Sequence, residues 1–208
     1  METFNRPKHK GSATLMSNPF LEKLTHTHIS LPLIIFSVIS AVLIYYGVVE
    51  KGFSIPGMIL LFFAGMFFFT FIEYLTHRFL YHLPVTSPKR EKFVYTMHGV
   101  HHDYPRDKSR LAMPPLLSLI IATLFFVIYR GLMGDYAFGF LAGFLMGYTA
   151  YLAIHYSIHA FRVPKNFLKI LWHHHSIHHY READRAFGVT SPFWDVVFKT
   201  MPRKVGSG

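Results

Sequence analysis

Ten of the fifteen histidines in the chain stand in four tight groups, and imidazole is the side chain here that could do chemistry. The groups are His77 and His82; His98, His101 and His102; His155 and His159; and His175, His178 and His179. Residues three or four positions apart share one face of a helix, so the last three groups can each present their imidazoles in one direction. His77 and His82 are five apart, about 140° around a straight helix, so either the helix ends between them or they bind different ions.

Neutral imidazole is a common ligand of zinc, copper, iron and nickel. One ion takes about four to six ligands, so ten histidines exceed the capacity of one ion and suit two. The chain has no cysteine, which excludes thiolate zinc sites, iron–sulfur clusters and thiol catalysis. Carboxylates are too few for a glutamate-rich, ferritin-like di-iron centre, and the HExxH and GxSxG motifs are absent. The sequence therefore predicts a two-ion metal centre built from histidines.

The remaining five histidines and one glutamate have other predicted roles. The five are His9, His26, His28, His173 and His174. The three in the N-terminal part are not predicted to bind metal, and for the two that precede His175 a supporting or surface role is favoured over ligation. Glu73 lies four residues before His77, near the end of an apolar run, where an ionisable group is costly and therefore a functional candidate. We expect it either to orient a ligating histidine or to snorkel to the membrane surface.

Four uncharged, mostly apolar runs are each long enough to cross a bilayer. They are residues 29–49, 53–72, 111–129 and 136–154. Short links join the first run to the second and the third to the fourth, which predicts two helical hairpins. Only 15% of the residues are charged, against about 25% in soluble domains, and 51% are apolar. The predicted fold class is therefore an all-α integral membrane protein with four transmembrane helices.

The basic residues predict the orientation of these helices. The chain carries 21 Lys and Arg against 11 Asp and Glu, a net charge of +10. If it crosses the membrane four times, 19 of the 21 fall on one side, which is the positive-inside pattern with both termini in the cytoplasm. No nucleic-acid recognition module is visible, so the charge is assigned to anionic head groups. The four histidine groups then form a cytosolic helical cap that holds the dinuclear metal site.

The predicted organisation has three parts. Residues 1–28 form a cytosolic or interfacial segment, with a helix starting at Asn18-Pro19. Residues 29–204 form the membrane-embedded domain, and residues 205–208 a tail or cloning remnant. In the fourth run a glycine recurs every four residues, at Gly139, Gly143 and Gly147, which favours close packing within the chain over a homodimer face.

The order of the histidine groups resembles that of the fatty acid 2-hydroxylases, in the fatty acid hydroxylase/sterol desaturase superfamily. The four boxes read HX4H, HX2HH, HX3H and HX2HH, and the segments FIEYLTHRFLYH, HGVHHDYPRDKSRLAMPP and HHYREADRAFGVTSPFWDVVFKTMP are also similar to that family. The resemblance covers nearly the whole chain. It implies that all ten grouped histidines bind metal, with no catalytic side chain beyond them. The implied reaction is O2-dependent hydroxylation at C2 of a fatty acyl chain, free or in a sphingolipid.

The resemblance also implies cofactors and partners. Two transition-metal ions are expected, iron for activity, although zinc can occupy such sites. Many eukaryotic members carry an N-terminal cytochrome b5 domain, for which this chain has no room. We therefore expect electrons from a separate cytochrome b5-like or ferredoxin-like protein, and we favour the bacterial inner membrane over the endoplasmic reticulum. The other expected partners are the lipid substrate and the bilayer.

Three other functions stay open. A carotenoid hydroxylase of the same superfamily has similar boxes, but its third box is typically HX4H rather than the HX3H of this chain. A sterol hydroxylase or desaturase, or an alkane oxidase, is a second alternative. A non-enzymatic membrane metal transporter is the third, but transporters usually bind their ions near the bilayer midplane, whereas these histidines are expected at its edge and beyond.

Overall fold

The computed structural model describes residues 7, 8 and 10–203, and every regular element in that part of the chain is helical. The α-helices are α1 (Pro19–Leu24), α2 (Ser30–Val49), α3 (Ile55–Leu75), α4 (Pro88–Val94), α5 (Val100–Asp103), α6 (Pro115–Met133), α7 (Ala137–Ala160), α8 (Lys169–Tyr180) and α9 (Phe193–Val197). Two π-helical segments follow α3 and α4, at Thr76–Tyr81 and Tyr95–Gly99. Two 3₁₀ turns, Lys108–Arg110 and Gly134–Tyr136, precede α6 and α7.

Among the described residues, three helical stretches are long and apolar enough to cross a membrane. They are Ser30–Val49, Ile55–Tyr81 and Lys108–Ala160. The third, of 53 residues, contains both α6 and α7, which the turn at Gly134 separates. The four predicted runs thus fall on α2, α3, α6 and α7. The all-helical class and the membrane-compatible helices are confirmed, and the count of four crossings stays a prediction.

The first helix begins where the sequence predicts. Pro19 occupies its first position, and the Asn18 side chain accepts hydrogen bonds from the backbone amides of Phe20 (2.9 Å) and Leu21 (3.3 Å). These bonds satisfy amides that have no partner inside the helix. Arg110 then fixes the helix from outside, because its guanidinium donates to Glu22 and to the Thr25 hydroxyl.

The chain forms two compact units. We call the first, residues 16–70 and 109–153, the apolar-helix unit. The second comprises the described parts of residues 1–15, 71–108 and 154–208, and we call it the histidine unit. Helices α3 and α7 contribute residues to both units. All ten grouped histidines and Glu73 belong to the histidine unit.

Close packing of α3 against α7 organises the apolar-helix unit. A Cβ atom added at Gly143 would lie 1.7 Å from the Phe62 carbonyl oxygen, and one added at Gly147 would lie 2.6 Å from the Cβ of Phe69. Gly65 of α3 meets the Phe140 carbonyl in the same way, at 1.9 Å. The glycines therefore let two helix backbones touch, as small residues do in membrane proteins. Their predicted role in packing within the chain is confirmed.

Candidate metal centre

The structure brings the ten grouped histidines together as two sets of five. Group one consists of His77, His82, His98, His102 and His178, and group two consists of His101, His155, His159, His175 and His179. Within each group, one ring nitrogen from every histidine lies within 4.8 Å of all the others. Each group could therefore hold a metal ion.

A π-helical segment explains how His77 and His82 join the same group. Its hydrogen bonds connect residues five positions apart, and the His82 amide donates to the His77 carbonyl at 3.2 Å. The two rings consequently lie on one side of the chain, with centroids 5.2 Å apart. The sequence left two possibilities open, a helix that ends between these residues or two different ions. The structure shows a third arrangement, a locally wider helix that ends at His82.

Each HX2HH box divides its histidines between the two groups, instead of presenting all three in one direction. His98 and His102 belong to group one, whereas His101 belongs to group two. The later box does the converse, with His175 and His179 in group two and His178 in group one. Adjacent residues of a helix point about 100° apart, so the i+3 and i+4 histidines of a box diverge. Both boxes therefore link the two groups.

The nitrogen–nitrogen distances fit ligands of a common ion. In group one, His98 Nε2 lies 3.0 Å from the Nε2 atoms of both His77 and His102. In group two, Nε2 atoms of His155 and His101 are 2.9 Å apart, as are those of His159 and His175. Two nitrogens that are 2.1 Å from one ion and 90° apart lie about 3.0 Å from each other. This geometry matches neighbouring ligands in a five- or six-coordinate site more closely than in a tetrahedral one.

Burial keeps the imidazoles in the neutral form that metals bind. Burial, followed by the charges of neighbouring imidazoles, holds the pKa of His98, His101 and His102 well below the ordinary value of 6.5. Burial likewise holds the pKa of His175, His178 and His179 well below that value. Burial and the nearby His178 lower the pKa of His82 to about 3. At neutral pH these rings therefore keep a lone pair for a metal.

Two backbone carbonyls determine which ring nitrogen carries the proton. His77 Nδ1 donates to the Phe187 carbonyl at 2.6 Å, and His178 Nδ1 donates to the Arg185 carbonyl at 2.8 Å. A carbonyl oxygen can only accept, so Nδ1 holds the proton in both rings and Nε2 keeps its lone pair. In both residues Nε2 is also the atom that faces another histidine of group one. A ring fixed in this way is prepared to bind a cation.

The buried ring nitrogens supply a further test of fit. Neither ring nitrogen of His179 has a hydrogen-bond partner in the described part of the chain, although both atoms are buried. A buried polar atom without a partner costs about 1–3 kcal/mol. A cation bound at one of them removes that cost for the atom that binds it. The donor set, ten neutral imidazoles in two groups, thus fits two transition-metal ions.

Glu73 is buried, so it does not snorkel to the membrane surface. Its carboxylate accepts from the backbone amides of Val189 (2.7 Å) and Thr190 (3.1 Å) and from the Thr190 hydroxyl. These residues follow Phe187, whose carbonyl binds His77. Glu73 therefore reaches a histidine of group one through the loop, not by direct contact.

The pair that precedes His175 divides into one exposed and one buried residue. His173 is exposed. His174 is buried, and its Nε2 donates to Asp195 Oδ2 at 2.9 Å. Asp195 was not a sequence candidate, because its other partners are the backbone amides of Phe187 and Gly188 and the Thr200 hydroxyl, which form no recognisable motif with it. The supporting or surface role predicted for the pair agrees with these positions.

Two of the three N-terminal histidines, His26 and His28, belong to neither group. His26 Nδ1 is 2.7 Å from the Ser109 hydroxyl, and His28 Nδ1 is 2.7 Å from the Ser30 hydroxyl. His9 lies outside the described residues. His26 and His28 are thus not among the residues that could hold a metal ion in either group.

Comparison with protein families gives the same assignment as the histidine boxes. The family model for the fatty acid hydroxylases matches residues 62–200. The chain is 38% identical to the ceramide very long chain fatty acid hydroxylase scs7 of Schizosaccharomyces pombe, over 96% of this chain and 59% of that protein. It is 35% identical to the dihydroceramide fatty acyl 2-hydroxylase FAH1 of Arabidopsis thaliana, over 74% of this chain and 65% of that protein. It is 37% identical to the fatty acid 2-hydroxylase of Mus musculus, over 68% and 39%.

A solved structure extends the similarity to the fold. The structure described as full length scs7p, with only the hydroxylase domain visible, superposes with a TM-score of 0.86 at 36% identity. The match covers 95% of this chain and 76% of that chain. This chain spans a little more than half the length of the two fungal ceramide hydroxylases that it matches. With its histidine boxes, its helical fold and these matches, the chain belongs to the fatty acid hydroxylase family.

Proposed function

We propose that this protein hydroxylates C2 of a fatty acyl chain, free or in a sphingolipid, with O2 and electrons from an external carrier. The observation that carries the proposal is the pair of five-histidine groups in a chain with membrane-compatible helices. The similar proteins named above as ceramide or dihydroceramide hydroxylases support the substrate class. A carotenoid, sterol or transport substrate has no comparable support.

The reaction needs a redox cofactor because an alkyl C–H bond does not react with acids or bases. In the balanced step, C–H, O2, two electrons and two protons give C–OH and water. Two metal ions, with iron expected and zinc able to bind, would supply the redox chemistry when bound. The ten grouped histidines would hold these ions, five in each group. Eight of the ten are buried, which limits the access of water to both groups.

The protein backbone contributes through two carbonyl groups, which accept hydrogen bonds from Nδ1 of His77 and of His178. They fix the ring orientation and keep each Nε2 unprotonated. No side chain other than the histidines is assigned a direct catalytic role. Electrons would come from a separate protein, of the cytochrome b5 or ferredoxin kind.

We place both termini and the histidine unit in the cytoplasm, with four crossings by α2, α3, α6 and α7. The bias of 19 basic residues in 21 supports this topology. A reporter fused to either terminus should therefore appear on the cytoplasmic side, and its appearance on the outer face would contradict the topology. The fungal, plant and mammalian origin of the relatives gives no support to a bacterial inner membrane over the endoplasmic reticulum.

The function can be tested in a host that lacks 2-hydroxylated lipids, supplied with an electron donor. We expect wild-type protein to produce 2-hydroxyacyl lipids, detected by mass spectrometry. His178→Ala should abolish the product, because a mobile water cannot replace a fixed nitrogen ligand. His173→Ala on the same helix is the matched control, since His173 is exposed and lies outside both groups.

Metal binding and folding are coupled, so both variants must be shown to accumulate in the membrane at the wild-type level. No 2-hydroxyacyl signal from wild type, or an undiminished signal from well-folded His178→Ala, would contradict the proposal. Hydroxylated carotenoids or sterols in its place would show that the same metal centre acts on another class of substrate.

A further inference from the structure

We call residues 185–190 the anchor loop. The two hydrogen bonds that this loop makes to histidines, described above, both go to group one. The Arg185 carbonyl accepts from His178, and the Phe187 carbonyl accepts from His77. Both histidines belong to group one. The loop therefore fixes the orientation and the tautomer of two rings in that group.

Two buried carboxylates hold the anchor loop in place. Asp195, which is fully buried, accepts from the amides of Phe187 (3.0 Å) and Gly188 (2.8 Å). Glu73 accepts from the next two amides, at Val189 and Thr190. Four consecutive backbone amides thus donate to carboxyl oxygens of Asp195 and Glu73, which fixes the backbone of the loop at four successive residues.

The loop conformation is also constrained sterically. Gly188 has no room for a side chain, because an added Cβ would lie 2.2 Å from the Ser191 carbonyl oxygen. Ala186 has a φ of 58°, a left-handed value that is uncommon outside glycine. Its amide donates to the Thr200 carbonyl at 2.9 Å, and the Thr200 hydroxyl donates to Asp195 at 2.6 Å. A loop held this way can keep its two carbonyls at fixed positions.

Group two has weaker outer support. The Nδ1 atoms of His101, His175 and His179 are buried, and none meets a hydrogen-bond partner in the described part of the chain. For His101 and His175 the other nitrogen, Nε2, is the atom that faces a neighbouring histidine of the group. Rings without an Nδ1 acceptor are less basic and less firmly oriented than anchored ones.

We propose that the two groups hold metal with unequal affinity, group one tightly and group two weakly, and that Asp195 and Glu73 are positioning residues for group one. This inference rests on the proposed two-ion centre, but it does not depend on which lipid is hydroxylated. Outer hydrogen-bond partners of metal-binding histidines typically contribute 10- to 100-fold in affinity. The difference between the groups should therefore be about that large.

A chelator titration of the purified full-length protein tests the inference without an activity assay. The metal that remains bound is measured by elemental analysis after equilibration with increasing EDTA. Starting from two ions per chain, we expect one to leave at an EDTA concentration about 10- to 100-fold lower than the other. Removal of both ions over the same concentration range would overturn the proposal. Fewer than two ions before EDTA is added would instead contradict the two-ion centre.

Variants identify the group that holds the tighter ion. Asp195→Asn cannot accept from both loop amides and His174, so it should release the tighter ion about 10- to 100-fold more readily and leave the weaker ion unchanged. A merely structural role would weaken both ions alike, and that result would overturn the assignment. Asp184→Asn is the matched control, because this carboxylate is exposed and its ion pair is with Arg203, not with the anchor loop.

A second variant covers the case in which Asp195→Asn does not accumulate. Glu73→Gln keeps the side-chain volume and one acceptor oxygen, so it should fold and shift the tighter ion alone by a smaller factor. An unchanged titration for Glu73→Gln, or an equal shift of both ions, would count against the positioning role.

Discussion

At the residue scale, the centre depends on the proton positions of its imidazoles. A histidine binds metal through one nitrogen, and the partner of the other nitrogen determines which one is free. In His77 and His178 that partner is a backbone carbonyl, which cannot donate and therefore leaves no ambiguity. Burial then keeps rings such as His98 neutral by lowering the pKa. The backbone and the burial of the site thus prepare the ligands before any metal arrives.

This preparation predicts a stoichiometry. Protein purified after reconstitution with Fe²⁺ or Zn²⁺ should contain two ions per chain. Each five-histidine group has enough ligands for one ion of its own. His101→Ala should reduce the content by removing a ligand of group two. Elemental analysis measures both values. One ion or fewer in the reconstituted wild type would contradict the prediction.

The sequence identified the ten histidines that the structure brings together, but not how they divide into two groups. The spacing of His98, His101 and His102 predicts a shared helix face, whereas the structure assigns His101 to the other group. That division depends on the orientation of each helix relative to the others, which spacing does not contain. Asp195 was missed for a related reason, since its partners at Phe187 and Gly188 are backbone amides and leave no pattern of side chains.

At the element scale, local departures from the α-helix position the histidines as much as the regular helices do. The segment Thr76–Tyr81 is π-helical, which brings together residues five apart and makes HX4H a chelating motif. Its presence was not predictable from composition, since the sequence there has neither proline nor glycine. The long helices, in contrast, follow directly from apolar run lengths. Their close approach follows from the glycine spacing on α7.

The close contact between α3 and α7 predicts that alanine is tolerated at one glycine and not at another. Gly143→Ala should lower the free energy of unfolding by about 1–3 kcal/mol, because the new methyl group would overlap the Phe62 carbonyl and force the helices apart. Gly131→Ala on α6 is the control, since its Cβ would meet nothing within 4 Å. Thermal unfolding in detergent should show a lower midpoint for the first variant only. Equal midpoints would argue against a tight helix contact.

At the scale of the whole molecule, the two compact units differ in composition. The apolar-helix unit has long, mostly apolar helices, and the histidine unit contains every histidine of the two groups. Most of the positive charge falls outside the apolar runs, which is why sequence alone predicts an orientation. The family could also be recognised from the order of the four boxes. Unequal support of the two groups could not, because it depends on contacts made by residues 185–190.

We propose that oxygen from O2 enters C2 of an acyl chain at a histidine-bound metal centre. The most direct test is a reaction of the purified, iron-loaded protein with a ceramide, an electron carrier and ¹⁸O2, followed by mass spectrometry of the acyl chain. We predict one ¹⁸O atom in a hydroxyl group at C2, and none with ¹⁶O2 in H2¹⁸O. Three results would exclude this reaction: a hydroxyl at another carbon, oxygen derived from water, or no product from protein that contains two iron ions.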